Sequence, residues 1–72
     1  MIEELIRQLK NPDPDVRKRA IMALGKAKDP TALKALAEVV RGDPDPTLRE
    51  LALKAGQYIR QQTKKETRGP AD

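Results

Sequence analysis

The residues best equipped for chemistry in this chain are carboxylates spaced two apart in proline-bounded loops, NPDPD at residues 11–15 and GDPDP at residues 42–46. Asp at positions i and i+2 opens a calcium loop, where alternate oxygen ligands converge on one hard cation. Counted from Asp13 or Asp43, the rest of that loop is missing: the fifth place holds no Asp or Asn, the sixth no Gly and the twelfth no Glu. Helix capping is the better account of these aspartates, since a carboxylate accepts the free N–H groups of a first helical turn. Gly25 and Lys26 resemble the end of a phosphate loop, but Ala20 stands where the first glycine must be, and the residues before it do not read as a strand. The chain has no His, no Cys and no Ser. That removes the usual general base, both common activated nucleophiles and most transition-metal ligands. Four threonines, one tyrosine, eleven carboxylates and the lysines remain, in no catalytic arrangement. The expectation is a protein that binds rather than catalyses, with no cofactor and no metal.

The elements that would position any surface residue follow from an internal echo. Displaced by 32 positions, Pro12 to Ala23 falls on Pro44 to Ala55: Pro12 meets Pro44, Asp13 meets Asp45, Pro14 meets Pro46, Arg17 meets Arg49, Ala20 meets Ala52 and Ala23 meets Ala55. Val16 pairs with Leu48 and Ile21 with Leu53. Upstream the register slips by one, with Leu5, Ile6 and Leu9 on Leu36, Ala37 and Val40. Ile2, Leu5, Ile6 and Leu9 follow one helical face, predicting a short helix to about Lys10. Asn11 and Pro12 stop it. Asp13 followed by Pro14 starts a second helix, because Pro at the first helical position gives up an N–H that would have no partner. Its apolar stripe is Val16, Ala20, Ala23, Leu24 and Ala27. Asp29 and Pro30 repeat the start device for a third helix, burying Leu33, Leu36, Val39 and Val40 and closing at Gly42. Asp45 and Pro46 open a fourth, with Leu48, Leu51, Ala52, Ala55 and Ile59 along one stripe to about Gln62. The fold class is therefore all-α, two stacked antiparallel helix hairpins with four helices. Residues 1–62 form one domain of two units, about 1–28 and 29–62. The stretch TKKETRGPAD, residues 63–72, has no aliphatic periodicity and is expected to be a flexible tail.

Composition agrees with a single small domain. At 72 residues the chain buries about 60% of the surface its unfolded form exposes, so the stability margin is thin. Hydrophobic residues make 38% and charged residues 36%, too apolar for a disordered chain. Tyr58 is the sole aromatic residue, so the core must be aliphatic. Without cysteine, packing alone must hold it. No apolar run approaches the roughly 20 residues of a membrane span and nothing resembles a signal peptide, which makes a cytoplasmic location the default expectation. A net charge of +4 favours an acidic partner, nucleic acid or a phosphate-rich surface, by a small excess.

The stretch DPDVRKRAIMALGKAKDP closely resembles the HEAT repeat, in particular the short variant of phycobilisome-lyase-type proteins. Asp15, Val16, Arg17, Ala20, Ala23, Leu24 and Gly25 carry the match, followed by Asp29 and Pro30 of the next unit. The second unit matches at Asp45, Leu48, Arg49, Ala52 and Ala55, but has Gly56 and Gln57 where the pattern prefers Leu and Gly, as a terminal unit would. The resemblance covers residues 1–62 and implies an α-solenoid fragment. It also implies an inter-repeat ladder, pairing Asp13 or Asp15 with Arg49 and Asp45 with Arg17, since an Arg partly covered by the next repeat presents a fork of donors suited to a carboxylate.

In stacked hairpins the second helices line the concave side. At 100° per residue, the faces opposite the apolar stripes offer Lys18, Met22, Gly25 and Lys26 with Arg19 on the flank, and Glu50, Lys54, Gln57 and Gln61 with Tyr58 on the flank. The leading expectation is a protein-interaction or scaffold module, self-associating or binding another protein, because two repeats leave apolar flanks at each end and Leu51 and Leu53 cannot both point into one narrow stripe. A second reading is nucleic-acid backbone binding through Arg17, Lys18, Arg19, Lys26 and Lys28, opposed by nearby Asp13, Asp15 and Asp29 and by the scarcity of aromatics to stack on bases. A third is a designed or excised minimal repeat without natural activity. Clean capping and the absence of Cys, Ser and His fit either a design or a heat-tolerant source. No membrane partner and no small-molecule substrate is expected.

Overall fold

The computed structural model describes the backbone of residues 2–68 and the side chains of residues 2–62. Four helices follow in order: α1 (Ile2–Gln8), α2 (Pro14–Ala27), α3 (Ala32–Gly42) and α4 (Pro46–Arg68). No strand occurs among the described residues. The class is all-α, with α1 and α2 forming one hairpin and α3 and α4 the next; α4 packs on both α3 and α2, and α1 rests on α2 and more lightly on α3.

Local signals set the helix ends. Asp13 is extended and its carboxylate accepts from Asp15 N–H at 2.9 Å, while Pro14 sits in the first turn of α2. Asp45 does the same for α4, accepting from Thr47 N–H at 2.9 Å. Asp29 accepts from Thr31 N–H at 2.9 Å, one turn ahead of α3. α1 ends at Gln8, short of the expected Lys10, because Leu9, Lys10 and Asn11 bond back three residues in a tightened final turn. α2 ends at Lys28, left-handed at φ 56°, whose N–H closes on the Gly25 carbonyl. α4 continues to Arg68, past the expected end near Gln62; apart from that helical backbone, the expected tail of residues 63–72 lies outside the described residues.

The core is aliphatic: Leu9, Ala20, Ile21, Leu24, Ala32, Leu36, Val39, Leu48, Ala52 and Ile59 are buried. Ile21, Leu24, Leu36 and Ile59 are the largest fully enclosed side chains, each contributing about 1.5–3 kcal/mol by leaving water. The stripe expected on α2 is corrected here. Ile21, outside that stripe, is fully buried, whereas Ala27 is exposed and Val16 only half-buried. Gly25, expected on the concave surface, is also buried, and a Cβ built on it would lie 3.4 Å from that of Ala55. The cause is that α2 packs against two neighbours. One buried arc carries Ala20 and Leu24; another, with Arg17, Ile21 and Gly25, turns toward the next hairpin, where Gly25 lies against Ala55 and Arg17 meets Asp43. A charged residue and a glycine on that second arc hide it from an apolar periodicity.

Candidate functional site

Two features lie at the boundary between hairpins. The first is a ladder. Arg17, buried in α2, donates from Nε to Asp43 Oδ2 at 2.9 Å and from Nη2 to Oδ1 at 3.3 Å, while its Nη1 reaches the carbonyls of Asn11 at 2.8 Å and Pro12 at 3.1 Å. Arg49, the counterpart 32 residues on, donates to the Asp43 carbonyl at 2.7 Å. The loops echo one another: Asn11 Oδ1 accepts from Asp13 N–H at 2.8 Å and Asp43 Oδ1 from Asp45 N–H at 2.9 Å. The expected ladder is corrected on this point. The carboxylate that meets Arg17 belongs to Asp43, not Asp45, whose side chain caps α4. Asp13 and Asp15 are exposed at the start of α2, and the guanidinium of Arg49 goes to a backbone carbonyl instead of either. Only Asp43 sits far enough before α4 to reach back across the boundary. The 32-residue echo sets Asp43 on Asn11, which makes the same local bond, but it does not single out Asp43 as the partner of Arg17.

The second feature is a trough between α2 and α4. Its larger, more open part, about 590 Å³, is lined by Met22, Ala23, Gly25, Leu51, Ala55 and Tyr58, with Arg19, Lys26 and Lys54 at its edges. A smaller hollow of about 380 Å³ continues toward the helix starts, bordered by Asp15, Lys18, Asp45, Glu50 and Leu51. Met22 is 52% exposed and Tyr58 44%, so an apolar floor stands open between cations. Asp15, Asp45 and Glu50 gather near the helix starts, where Asp15 and Asp45 complement the helix dipoles, while Arg19, Lys26 and Lys54 edge the larger part. Lys54 lies 3.8 Å from Glu50, an exposed pair that holds neither residue firmly.

Of the candidate surface residues, Arg19, Met22, Lys26, Lys54 and Tyr58 come together in the larger part, and Lys18 and Glu50 border the hollow. Gln57 lies elsewhere, in a dent between α3 and α4 with Leu33, Val40, Leu53 and Gly56, and Gln61 is exposed farther along α4. Leu51 and Ala55, which periodicity assigned to the core stripe, are half-buried in the trough. Arg17 leaves the expected basic cluster, its guanidinium enclosed by Asp43 and two carbonyls. Asp29 is held below the usual carboxylate range by its hydrogen bonds from Thr31, the backbone N–H foremost. Among the described residues no group of three or more carboxylates is placed to hold a metal ion, and no helix is long and apolar enough to cross a membrane.

Antiparallel helix pairs stacked in register, joined by an Arg that reaches into the next pair's loop, define a short α-solenoid. A family model for HEAT repeats matches residues 1–62, and the chain belongs to that family. HEAT repeats generally mediate protein–protein interaction or scaffolding. Searches among curated proteins and solved structures return no match.

Proposed function

We propose that the chain is a non-catalytic protein-interaction module whose trough between α2 and α4 receives an acidic segment of another protein carrying a large apolar side chain. The observation that carries this reading is the exposure of Met22 and Tyr58 on an apolar floor edged by Arg19, Lys26 and Lys54. Apolar contact there supplies affinity, with Met adapting its shape to the occupant. The cations supply orientation and a faster encounter with acidic partners. Nucleic-acid binding is the weaker reading, because Arg17 is withdrawn from the surface and Asp15, Asp45 and Glu50 share the trough.

The test is an amide-resolved NMR titration with a synthetic helical peptide of Leu and Glu, repeated with Lys replacing Glu. Shifts confined to residues 19–26 and 51–58 with the acidic peptide, lost in Met22→Asp and weakened by salt, support the reading. Equal binding of the basic peptide, or stronger binding of duplex DNA with a steep salt dependence, overturns it.

A further inference from the structure

The end of the stack formed by α3 and α4 carries a projection and a recess on the same helix. Leu53 is 47% exposed, although its counterpart Ile21 is fully buried against the following hairpin. Three residues on, Gly56 stands where the first unit has the buried Leu24, and the missing side chain leaves a dent of about 240 Å³ lined by Leu33, Leu36, Val40, Ala52 and Leu53. A Cβ on Gly56 would come no nearer than 3.9 Å to Leu33 Cδ2, so the recess is open to an incoming methyl group.

We infer that this face pairs with the same face of a second copy, α4 against α4 in antiparallel fashion, with Leu53 of each chain seated in the other's Gly56 dent. Leu53 and Gly56 straddle the turn at Lys54 and Ala55, and Glu50 and Arg60 straddle nearly the same point. At 100° per residue these four positions share an arc of about 120°. A two-fold axis through that turn sets Leu53 over Gly56 and brings Glu50 beside Arg60, as a self-complementary interface requires. Charge and shape therefore specify one register. Continued head-to-tail stacking fits less well. Gln57 occupies the place of Gly25, where even a Cβ would lie 3.4 Å from that of Ala55 in the next hairpin, and a stacked copy would bring neutral Asn11 to Arg49 where Asp43 meets Arg17. Leu53, Gly56 and Arg60 lie outside the trough and only Glu50 borders both surfaces, so the inference does not rest on the proposed function.

Sedimentation of the full chain over a roughly hundredfold concentration range tests it. A monomer–dimer equilibrium is expected. Leu53→Asp alters an exposed side chain and Gly56→Leu restores the residue the first unit carries, so both variants keep their helical circular dichroism and weaken dimerisation at least roughly tenfold. Glu50→Arg weakens it too, and combining it with Arg60→Glu recovers most of the loss, whereas Met22→Asp leaves it unchanged. A monomer throughout, a series of larger oligomers, a dimer that survives both Leu53→Asp and Gly56→Leu, or a charge reversal without recovery overturns the inference.

Discussion

The Arg17 guanidinium and the Asp43 carboxylate form a two-pronged ion pair across the hairpin boundary, at 2.9 and 3.3 Å, with both side chains almost wholly enclosed. The pair joins the start of α2 to the loop before α4, and Arg49 holds the same loop from the other side through the Asp43 carbonyl. One loop residue thus adds a polar link to the aliphatic packing that already joins the two repeats. No buried side-chain nitrogen or oxygen among the described residues lacks a partner, so the charges are fully satisfied.

Removing one member of this pair leaves the other buried and uncompensated. Arg17→Leu should cost about 3–5 kcal/mol, a large share of what so short a chain can hold. Asp43→Asn keeps an acceptor for Asp45 N–H and for one prong of Arg17, and should cost less, about 1–3 kcal/mol. Urea unfolding followed by circular dichroism measures both; equal losses, or a neutral Arg17→Leu, would show that the pair does not couple the hairpins.

Gly25, buried, and Gly56, half-buried at an open dent, should respond in opposite ways. Gly25→Gln drives a long side chain into Ala55, already 3.4 Å from where a Cβ would lie, and should cost about 1–3 kcal/mol. Gly56→Ala meets ordinary contact at 3.9 Å and gains helix propensity, so it should stabilise by about 1 kcal/mol. Thermal melts of the two variants, run side by side, give the signs directly.

Lys28 closes α2 with φ at 56°, a backbone conformation that a side chain disfavours. Lys28→Gly should raise stability by about 0.5–1 kcal/mol, since glycine occupies that region without the Cβ clash. A lower melting temperature for this variant would mean that the Lys28 side chain contributes more than its backbone costs.

Asp29 carries a pH dependence. Its folded carboxyl titrates below the ordinary range because Thr31 donates to the ionised form, so the stabilisation is complete above the ordinary carboxylate range. It is lost as pH falls through the lowered folded value. Asp29→Asn retains an acceptor without the charge, and its unfolding free energy should fall less steeply on acidification than that of the parent chain. Identical acid limbs in the two proteins would contradict this.

The elements were legible in the sequence because their determinants are local. Asp13, Asp29 and Asp45 each precede a proline and each accepts an N–H two residues on, a bond formed within one turn of chain whatever packs above it. The 32-residue echo then counted the hairpins, and exposure of Lys18, Lys26 and Lys54 follows from their charge. Which face of α2 is doubly covered was not legible. Ile21 and Gly25 are buried, and Leu51 becomes the wall of a trough, because α4 approaches α2 along an arc that one helix's periodicity does not encode. The choice of Asp43 over Asp45 has the same origin. Both carboxylates lie in one loop with the same local chemistry, and only the placement of α4 beside α2 decides which of them faces Arg17 and which is left to cap a helix.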